Sequence, residues 1–187
     1  RKLISRSIHS IKKQTYKNIE LILVDDFSND GSYEKAKKFK NIKILRTKKK
    51  NKLKYGSMNQ MNAYYLGAKK SKGDIIFFLD SDDYFYKSKI EYITKQFNKD
   101  SKLKIIFDNP KILLKNNKKY VKKLFYRNKY FVPWPQYPPQ SCISVNKKYF
   151  LNNFNKIKIN KFLDVWLDFR LVSLAIIDFK KIKVLNK

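Results

Sequence analysis

The chain has 187 residues, of which 43% are hydrophobic, enough for one domain with a sizeable core. Its single cysteine, Cys142, excludes a disulfide framework, and the one histidine leaves no Cys/His zinc spacing. No apolar run approaches the ~18 residues of a membrane span. Lys+Arg 44 against Asp+Glu 15 give a formal net charge of +29, which raises nucleic acid, an anionic membrane face and phosphorylated substrates as partners. The lysines run from Lys2 to Lys187, and the only run of three is Lys48–Lys50, the rest falling singly or in pairs such as Lys118–Lys119. The aromatics lie in apolar patterns rather than alternating with Arg as stacking residues. Nucleic acid is therefore not expected as a partner, and the charge is expected to help hold anions.

A lone cysteine and the lack of a visible signal peptide point to a reducing, cytoplasmic setting. The first residue is Arg1 rather than Met, so the chain is expected to start inside a longer protein. Peripheral association with the inner face of a membrane stays open on that ground.

In chain order, Leu3, Ile4, Ile8 and Ile11 recur at helical spacing and predict an amphipathic helix from Leu3 to Lys13, with His9 facing solvent. Ile19 to Val24 reads as a strand ending in Asp25-Asp26-Phe27-Ser28-Asn29-Asp30-Gly31. A helix over Ser32–Phe39, capped by Asp30, and a strand over Asn41–Leu45 follow. Arg46–Lys54 is a basic loop, and Gly56–Lys70 is helical until Gly73 breaks it.

Ile75 to Leu79 is a short apolar run of the kind buried on both faces of a sheet. It ends in Asp80-Ser81-Asp82-Asp83. Three carboxylates packed at a strand end repel one another unless a cation or donors compensate them, and a hard divalent ion completed by phosphates is one such compensation. The plainer alternative is that Ser81 or Asp82 caps the next helix. Strands alternating with helices predict parallel strands with helices on both faces. Right-handed crossovers then bring both acidic clusters, Asp25/Asp26 and Asp80/Asp82/Asp83, to one sheet edge, where ligands bind in such folds.

These residues carry a resemblance. Ser7 to Tyr16, with its Gln-Thr-Tyr ending, Val24 to Gly31, and Gly73 to Asp83 together resemble the family 2 glycosyltransferases of the GT-A fold. The resemblance is strong over Arg1–Phe97 and weak beyond. It implies an α/β fold of GT-A type, a Rossmann-like, mostly parallel sheet with helices on both faces. It also implies a nucleotide-diphospho-sugar donor held by Asp25, Asp26, Asp80 and Ser81. Asp80 and Asp82 would bind Mg²⁺ or Mn²⁺, with Asp83 assisting or touching the acceptor. The chain departs from the family in lacking its first strand, in having Phe27 where Gly is commonest, and in lacking the Ala-Arg-Asn element before the second acidic strand. Gly56–Asn62 stands in that place, about a helical turn too far from Gly73.

Lys89–Phe97 reads as a helix, and Leu103–Phe107 and Ile112–Leu114 as strands around Asn109-Pro110. Tyr120–Lys129 is ambiguous. Val132–Gln140, with its prolines, is a stiff loop, since Pro supplies no donor. Trp134 and Tyr137 within it are candidates for stacking on a sugar acceptor; plugging the sheet edge is the alternative. Ser141–Val145 is a strand and Tyr149–Phe154 a short helix. Lys161 onward reads as a helix bearing Asp164 and Asp168 on one face at i,i+4. The family register, an Asp six residues before an Arg, matches Asp164 with Arg170 and implies that Asp164 is the catalytic base, with Asp168 its rival.

The expectation is a single domain over residues 1–187, with a nucleotide-sugar half (1–98) and an acceptor half (99–187). Its expected activity is metal-dependent, inverting sugar transfer to a saccharide or lipid-linked acceptor. A Mg²⁺-dependent phosphoryl-transfer enzyme and a basic, non-catalytic binding module are the competing classes.

Overall fold

The computed structural model describes residues 2–48, 54–113, 119–121, 138–159, 161–178 and 181–185. Helix α1 (Lys2–Lys12) buries Ile4, Ile8 and Ile11, a stripe at steps of four and three that marks one helical face. Ile4 and Ile8 pack with Ala36 beside Leu21 and Leu23, whereas Ile11 packs with Phe85 and Ile90 beside Phe77 and Leu79. One helix face thus touches two groups of strands. β1 (Ile22–Asp25) and β2 (Lys43–Arg46) pair in parallel, joined through α2 (Ser32–Lys37). After α3 (Gly56–Lys70) come β3 (Ile75–Phe77), α4 (Lys89–Lys99) and β4 (Ile105–Phe107). A hairpin of β5 (Lys111–Leu113) and β6 (Lys119–Val121) follows, and a 3₁₀ turn over Gln140–Cys142 leads into β7 (Ile143–Asn146). The described chain closes with α5 (Lys147–Ile157), α6 (Leu167–Ile177) and β8 (Ile182–Val184).

Four strands form one sheet in the order β3-β7-β4-β8. β7 runs antiparallel to both neighbours, and β4 and β8 are parallel. β3, β4 and β8 thus share one direction and β7 alone in this sheet opposes them, in keeping with the mostly parallel sheet expected. Residues alternate across β4, with Ile105 and Phe107 facing the core built with Met58, Met61, Phe150 and Leu171, and Ile106 facing Ile93 and Phe97. Helices α3, α5 and α6 thus cover one face and α4 the other.

Helix α3 fixes the polarity of the strands at either side. At its far end the Lys72 N–H donates to Glu20 Oε2 (2.7 Å) just before β1, while Gly67 lies against Val24 near the end of β1. Any Cβ at Gly67 would stand 3.2 Å from Val24 Cγ2, so this close approach favours glycine. Nearer its start, the Tyr64 hydroxyl donates to Asp80 beyond β3 (2.7 Å). β1 and β3 therefore both run antiparallel to α3, and Asp25/Asp26 and Asp80–Asp83 emerge at the same end.

The Gln-Thr pair after α1 has a structural job. Gln14 is fully buried; its Nε2 donates to Ser10 O (3.0 Å) and Tyr86 O (2.8 Å), and its Oε1 accepts from Ile90 N (3.0 Å) in the first turn of α4. Thr15 N donates to Lys87 O (2.9 Å) and its hydroxyl to Glu91 (2.6 Å). This clasp fixes the segment that follows the acidic turn. Gln14→Ala takes the partner from the buried Ile90 N–H, a loss of about 1–3 kcal/mol, and leaves a cavity, whereas Tyr86 O keeps the Lys89 N–H (3.0 Å). Urea unfolding should show a loss of about 2–4 kcal/mol; a loss below about 0.5 kcal/mol would mean water replaces the clasp without penalty.

Candidate active site

The site is built on the end of β3. The Asp80 N–H donates to Ser141 Oγ (3.0 Å), which ties it to the turn before β7. Asp80 Oδ1 accepts from Tyr64 Oη (2.7 Å) and from Gln60 Nε2 (3.2 Å), two residues one turn apart on α3. Burial pushes the Asp80 carboxyl above its ordinary range; the Tyr64 hydrogen bond opposes this, and the charges of Asp83, Asp82 and Asp168 add to it. Tyr64 is held well above the usual phenol range by burial first and by Asp80 second, so it stays a protonated donor. Both protein donors use Oδ1, and Gln60 Oε1 is buried without a partner.

Helix α1 holds the main chain of the same turn. Arg6 donates to Asp82 O (2.6 Å), and Ser7 Oγ lies 2.8 Å from Ser81 O and 2.5 Å from Asp83 O, its one proton serving either. The Asp83 N–H closes the turn on Asp80 O (3.2 Å). With these carbonyls directed at α1, the side chains of Ser81 and Asp82 are left exposed and that of Asp83 half-buried. Neither Ser81 nor Asp82 caps α4: the cap position is Ser88, which makes no side-chain cap bond, and Gln14 serves the helix start instead.

At the end of β1 the two aspartates divide their work. Asp25 is buried, accepts from Arg46 Nε (3.0 Å) and from Ser28 N (3.2 Å), and so organises its own turn. Asp26 is half-buried and accepts from Thr47 Oγ1 (2.7 Å). Phe27 has φ 54°, the left-handed region where glycine is easiest, which is the physical content of the departure seen at that position. Its ring lies beneath the Arg46 guanidinium (5.0 Å), as does that of Tyr33 (4.2 Å).

The expected helix from Lys161 begins only at Leu167, and Phe162, at φ 60°, breaks it. Asp164 therefore lies in an exposed turn rather than on one helical face with Asp168. Arg170 is buried and clasps this turn, donating to Val165 O (2.9 Å), Ile157 O (2.6 Å) and Phe162 O (2.6 Å). Asp164 is felt electrostatically by Arg170, whereas Asp168, half-buried in the first turn of α6, is felt by Asp80. Burial pushes the Asp168 carboxyl up. Trp134 and Tyr137 lie outside the described residues. Trp166, half exposed and against Gly56, is an aromatic at the mouth of α6 that sequence reading passed over.

Among the described residues no three His, Cys, Asp or Glu side chains converge as a protein-only metal cage. A cation bridging a diphosphate needs less, one or two carboxylates plus phosphate and water oxygens. Asp80 through Oδ2 and the exposed Asp82 fit that donor set, and the partnerless Gln60 Oε1 fits a ligand-borne water or hydroxyl. The first acidic turn, Asp80–Asp83 and Asp168 thus line one edge of the molecule.

The sequence profile described as Glycosyl transferase family 2 matches residues 1–183. The chain belongs to this family. It is 40% identical over 97 residues to an uncharacterized glycosyltransferase of Haemophilus influenzae, a match covering 51% of this chain and 36% of that protein. It is 39% identical over 87 residues to the Escherichia coli UDP-Glc:alpha-D-GlcNAc-diphosphoundecaprenol beta-1,3-glucosyltransferase WfaP, covering 46% of this chain and 33% of that one. The poly(ribitol-phosphate) beta-N-acetylglucosaminyltransferase TarP of Staphylococcus aureus is 37% identical over 92 residues, 47% of this chain and 27% of the relative. The matches thus span about a third of these relatives' lengths. The crystal structure of S. aureus TarS 1-349 in complex with UDP superposes over 100% of this chain and 54% of TarS, with a TM-score of 0.72 at 18% identity. That likeness shows the fold, which is of the GT-A type expected from the sequence.

In this family 2 chain, Gln60, Tyr64 and Ser141 are the site residues that sequence reading missed. The i,i+4 pair on α3 carried a signal, two polar groups four apart facing a buried strand end, but only the fold shows which turn reaches Asp80. Since burial raises the Asp80 pKa above its unfolded value, its ionised form opposes folding, and that penalty is relieved as pH falls through the raised pKa. Asp80→Asn should therefore stabilise the ligand-free chain at pH 7 by on the order of 1 kcal/mol in urea unfolding. Destabilisation by that amount would show that the carboxylate is fully compensated by its donors.

Proposed function

We propose that this chain is the catalytic part of a metal-dependent, inverting glycosyltransferase that moves a sugar from a nucleotide-diphospho-sugar to a hydroxyl of a saccharide or lipid-linked acceptor. The observation that carries it is the gathering of Asp80, Asp82, Asp83 and Asp168 at the edge shared with Asp25/Asp26, within a family 2 chain. Relatives named for undecaprenol-linked and poly(ribitol-phosphate) acceptors support a place in cell-envelope polysaccharide synthesis. Among the described residues no helix is long and apolar enough to cross a membrane. A +29 chain is suited to the anionic inner face of one, so cytoplasmic work with peripheral membrane association is part of the proposal.

Asp26, with the turn that Asp25 and Arg46 organise, receives the nucleoside. Asp80 and Asp82, with Ser81 between them, would hold Mg²⁺ or Mn²⁺ on the donor diphosphate. Bound there, such a cation would supply positive charge for the departing diphosphate. A carboxylate at the start of α6 takes the proton from the acceptor hydroxyl; the new O–C1 bond forms as the C1–O bond to phosphate breaks, and its electron pair leaves with the diphosphate. Asp168 is the base favoured here, because it lies half-buried in the first turn of α6, near enough to Asp80 for their charges to interact, and burial raises its proton affinity. Asp164 remains the reading favoured by its spacing to Arg170.

Thermal unfolding across a panel of sugar nucleotides, with and without Mn²⁺, tests the donor site, because a ligand bound only by the folded state raises its melting point. At least one should stabilise the chain in a Mn²⁺-dependent way, and Asp82→Asn should remove that dependence; unchanged Mn²⁺ dependence in the variant would sink the metal assignment. In the full-length protein, replacing the base with Asn should cut turnover by about 10²–10⁴-fold while nucleotide binding survives. A loss confined to Asp168→Asn supports the geometric choice; a loss confined to Asp164→Asn returns the role to the family register.

A further inference from the structure

A second hollow opens beside the acidic turn. β3, β4 and β8 all point to one edge, because β7 is antiparallel to β3 and to β4 while β8 is parallel to β4. Asp80–Asp83 follow β3, Asp108 and Asn109 follow β4, and Leu185 follows β8. Between the last two strand ends and the first turns of α4 lies a cavity of about 480 Å³, within the range of small-molecule sites. Phe77 of β3 and Ile106 of β4 both stand opposite Ser144 of β7. Asp80 and Asp108 are thus two strand spacings apart, about 10 Å laterally.

The lining chemistry is specific. Tyr86 and Tyr92 line the hollow 50% and 39% exposed, with Lys111 Nζ (5.6 Å) and the Tyr84 ring (6.2 Å) beside Tyr86, so both rings keep surface that a ligand can meet. Asp108 and Asn109 form the floor with Lys89, whose Nζ donates to Asp108 (3.0 Å) and to Ser141 O (2.6 Å). At the rim Lys95 pairs with Glu91 (2.7 Å). Two lysines and two carboxylates line the hollow, so it is charge-balanced in a chain of net charge +29. By contrast, the hollow along α1 is lined by Arg6, His9, Lys13 and Lys87. A site for phosphate or a nucleotide would be expected to carry cations in excess of acids, as the hollow along α1 does. A neutral ligand with one apolar face and a rim of hydroxyls suits tyrosine walls over a floor of carboxylate, amide and ammonium.

We infer that this hollow is a saccharide subsite, one that takes a neutral pyranose unit of the acceptor about one or two sugars from the reacting hydroxyl. The acceptor part of this statement rests on the glycosyltransferase reading; the binding itself does not. Lys89 also connects the subsite to the reaction centre, since its Ser141 partner accepts from Asp80 N.

The test uses two neutral probes, chitotetraose and maltotetraose, titrated against the chain by saturation-transfer NMR and calorimetry, with UDP plus Mn²⁺ titrated separately. One of the oligosaccharides should bind the parent chain. Tyr92→Ala and Tyr86→Ala should each weaken it by at least about fivefold, and Tyr92→Phe should retain binding. Both tyrosines are exposed, so circular dichroism and melting temperature should match the parent, and UDP binding should be unchanged. Failure of both oligosaccharides to bind the parent, or equal binding by the alanine variants, overturns the subsite. Tyrosine-dependent saccharide binding with no Mn²⁺-dependent binding of UDP or of any sugar nucleotide in the panel upholds the subsite and overturns the metal-dependent donor reading instead.

Discussion

A carboxylate half-buried among other carboxylates is the constraint around which this chain is arranged. Asp80 would be expelled to solvent or neutralised if left alone, because burial and like charge both disfavour its ionised form. Three elements hold it in place: Tyr64 and Gln60 on α3 grip one oxygen, Ser141 takes the main-chain N–H, and α1 holds the carbonyls of the following turn through Arg6 and Ser7. Each of these groups is polar, and their bonds let a charged group persist where the apolar core ends. A residual destabilisation at such a point is what a binding site looks like before its ligand arrives.

That same arrangement explains why the edge of the sheet is chemically divided. Beyond β1 and β3 the exposed groups are acidic and suited to a cation and a diphosphate. Beyond β4 and β8 the charges are internally paired and the exposed groups are tyrosines. Lys89 joins the two regions, bonded at once to Asp108 and to the residue that supports Asp80. On the proposed function, the first region would take the activated donor and the second a neutral glycan.

Much of the first half was legible in the residues, because apolar runs ending in acid encode strand ends directly. The run Ile75–Leu79 marks a strand that the structure confines to Ile75–Phe77, half-buried at the sheet edge, with Asp80 just beyond it, and Phe27 flagged a backbone position whose left-handed φ the structure then displays. The second half was less legible for identifiable reasons. Nothing in Ser141–Val145 states its direction, which shows only in its antiparallel pairing with β3 and β4. The helix expected from Lys161 was read from composition, but Phe162 takes a left-handed φ and Arg170 finds three carbonyl partners in the turn, so tertiary bonding overrides local propensity. The contacts of Gln60 and Tyr64 with Asp80 join residues 16 to 20 positions apart, beyond what periodicity reports.

The most direct measurement is a crystal structure of the chain with UDP and Mn²⁺, collected so that the anomalous signal locates manganese. The account requires the ion at Asp80 Oδ2 and Asp82, bridged to the UDP diphosphate, with the uridine over the turn that carries Asp26. Manganese bound elsewhere, or UDP seated away from the edge shared by the ends of β1 and β3, would contradict it.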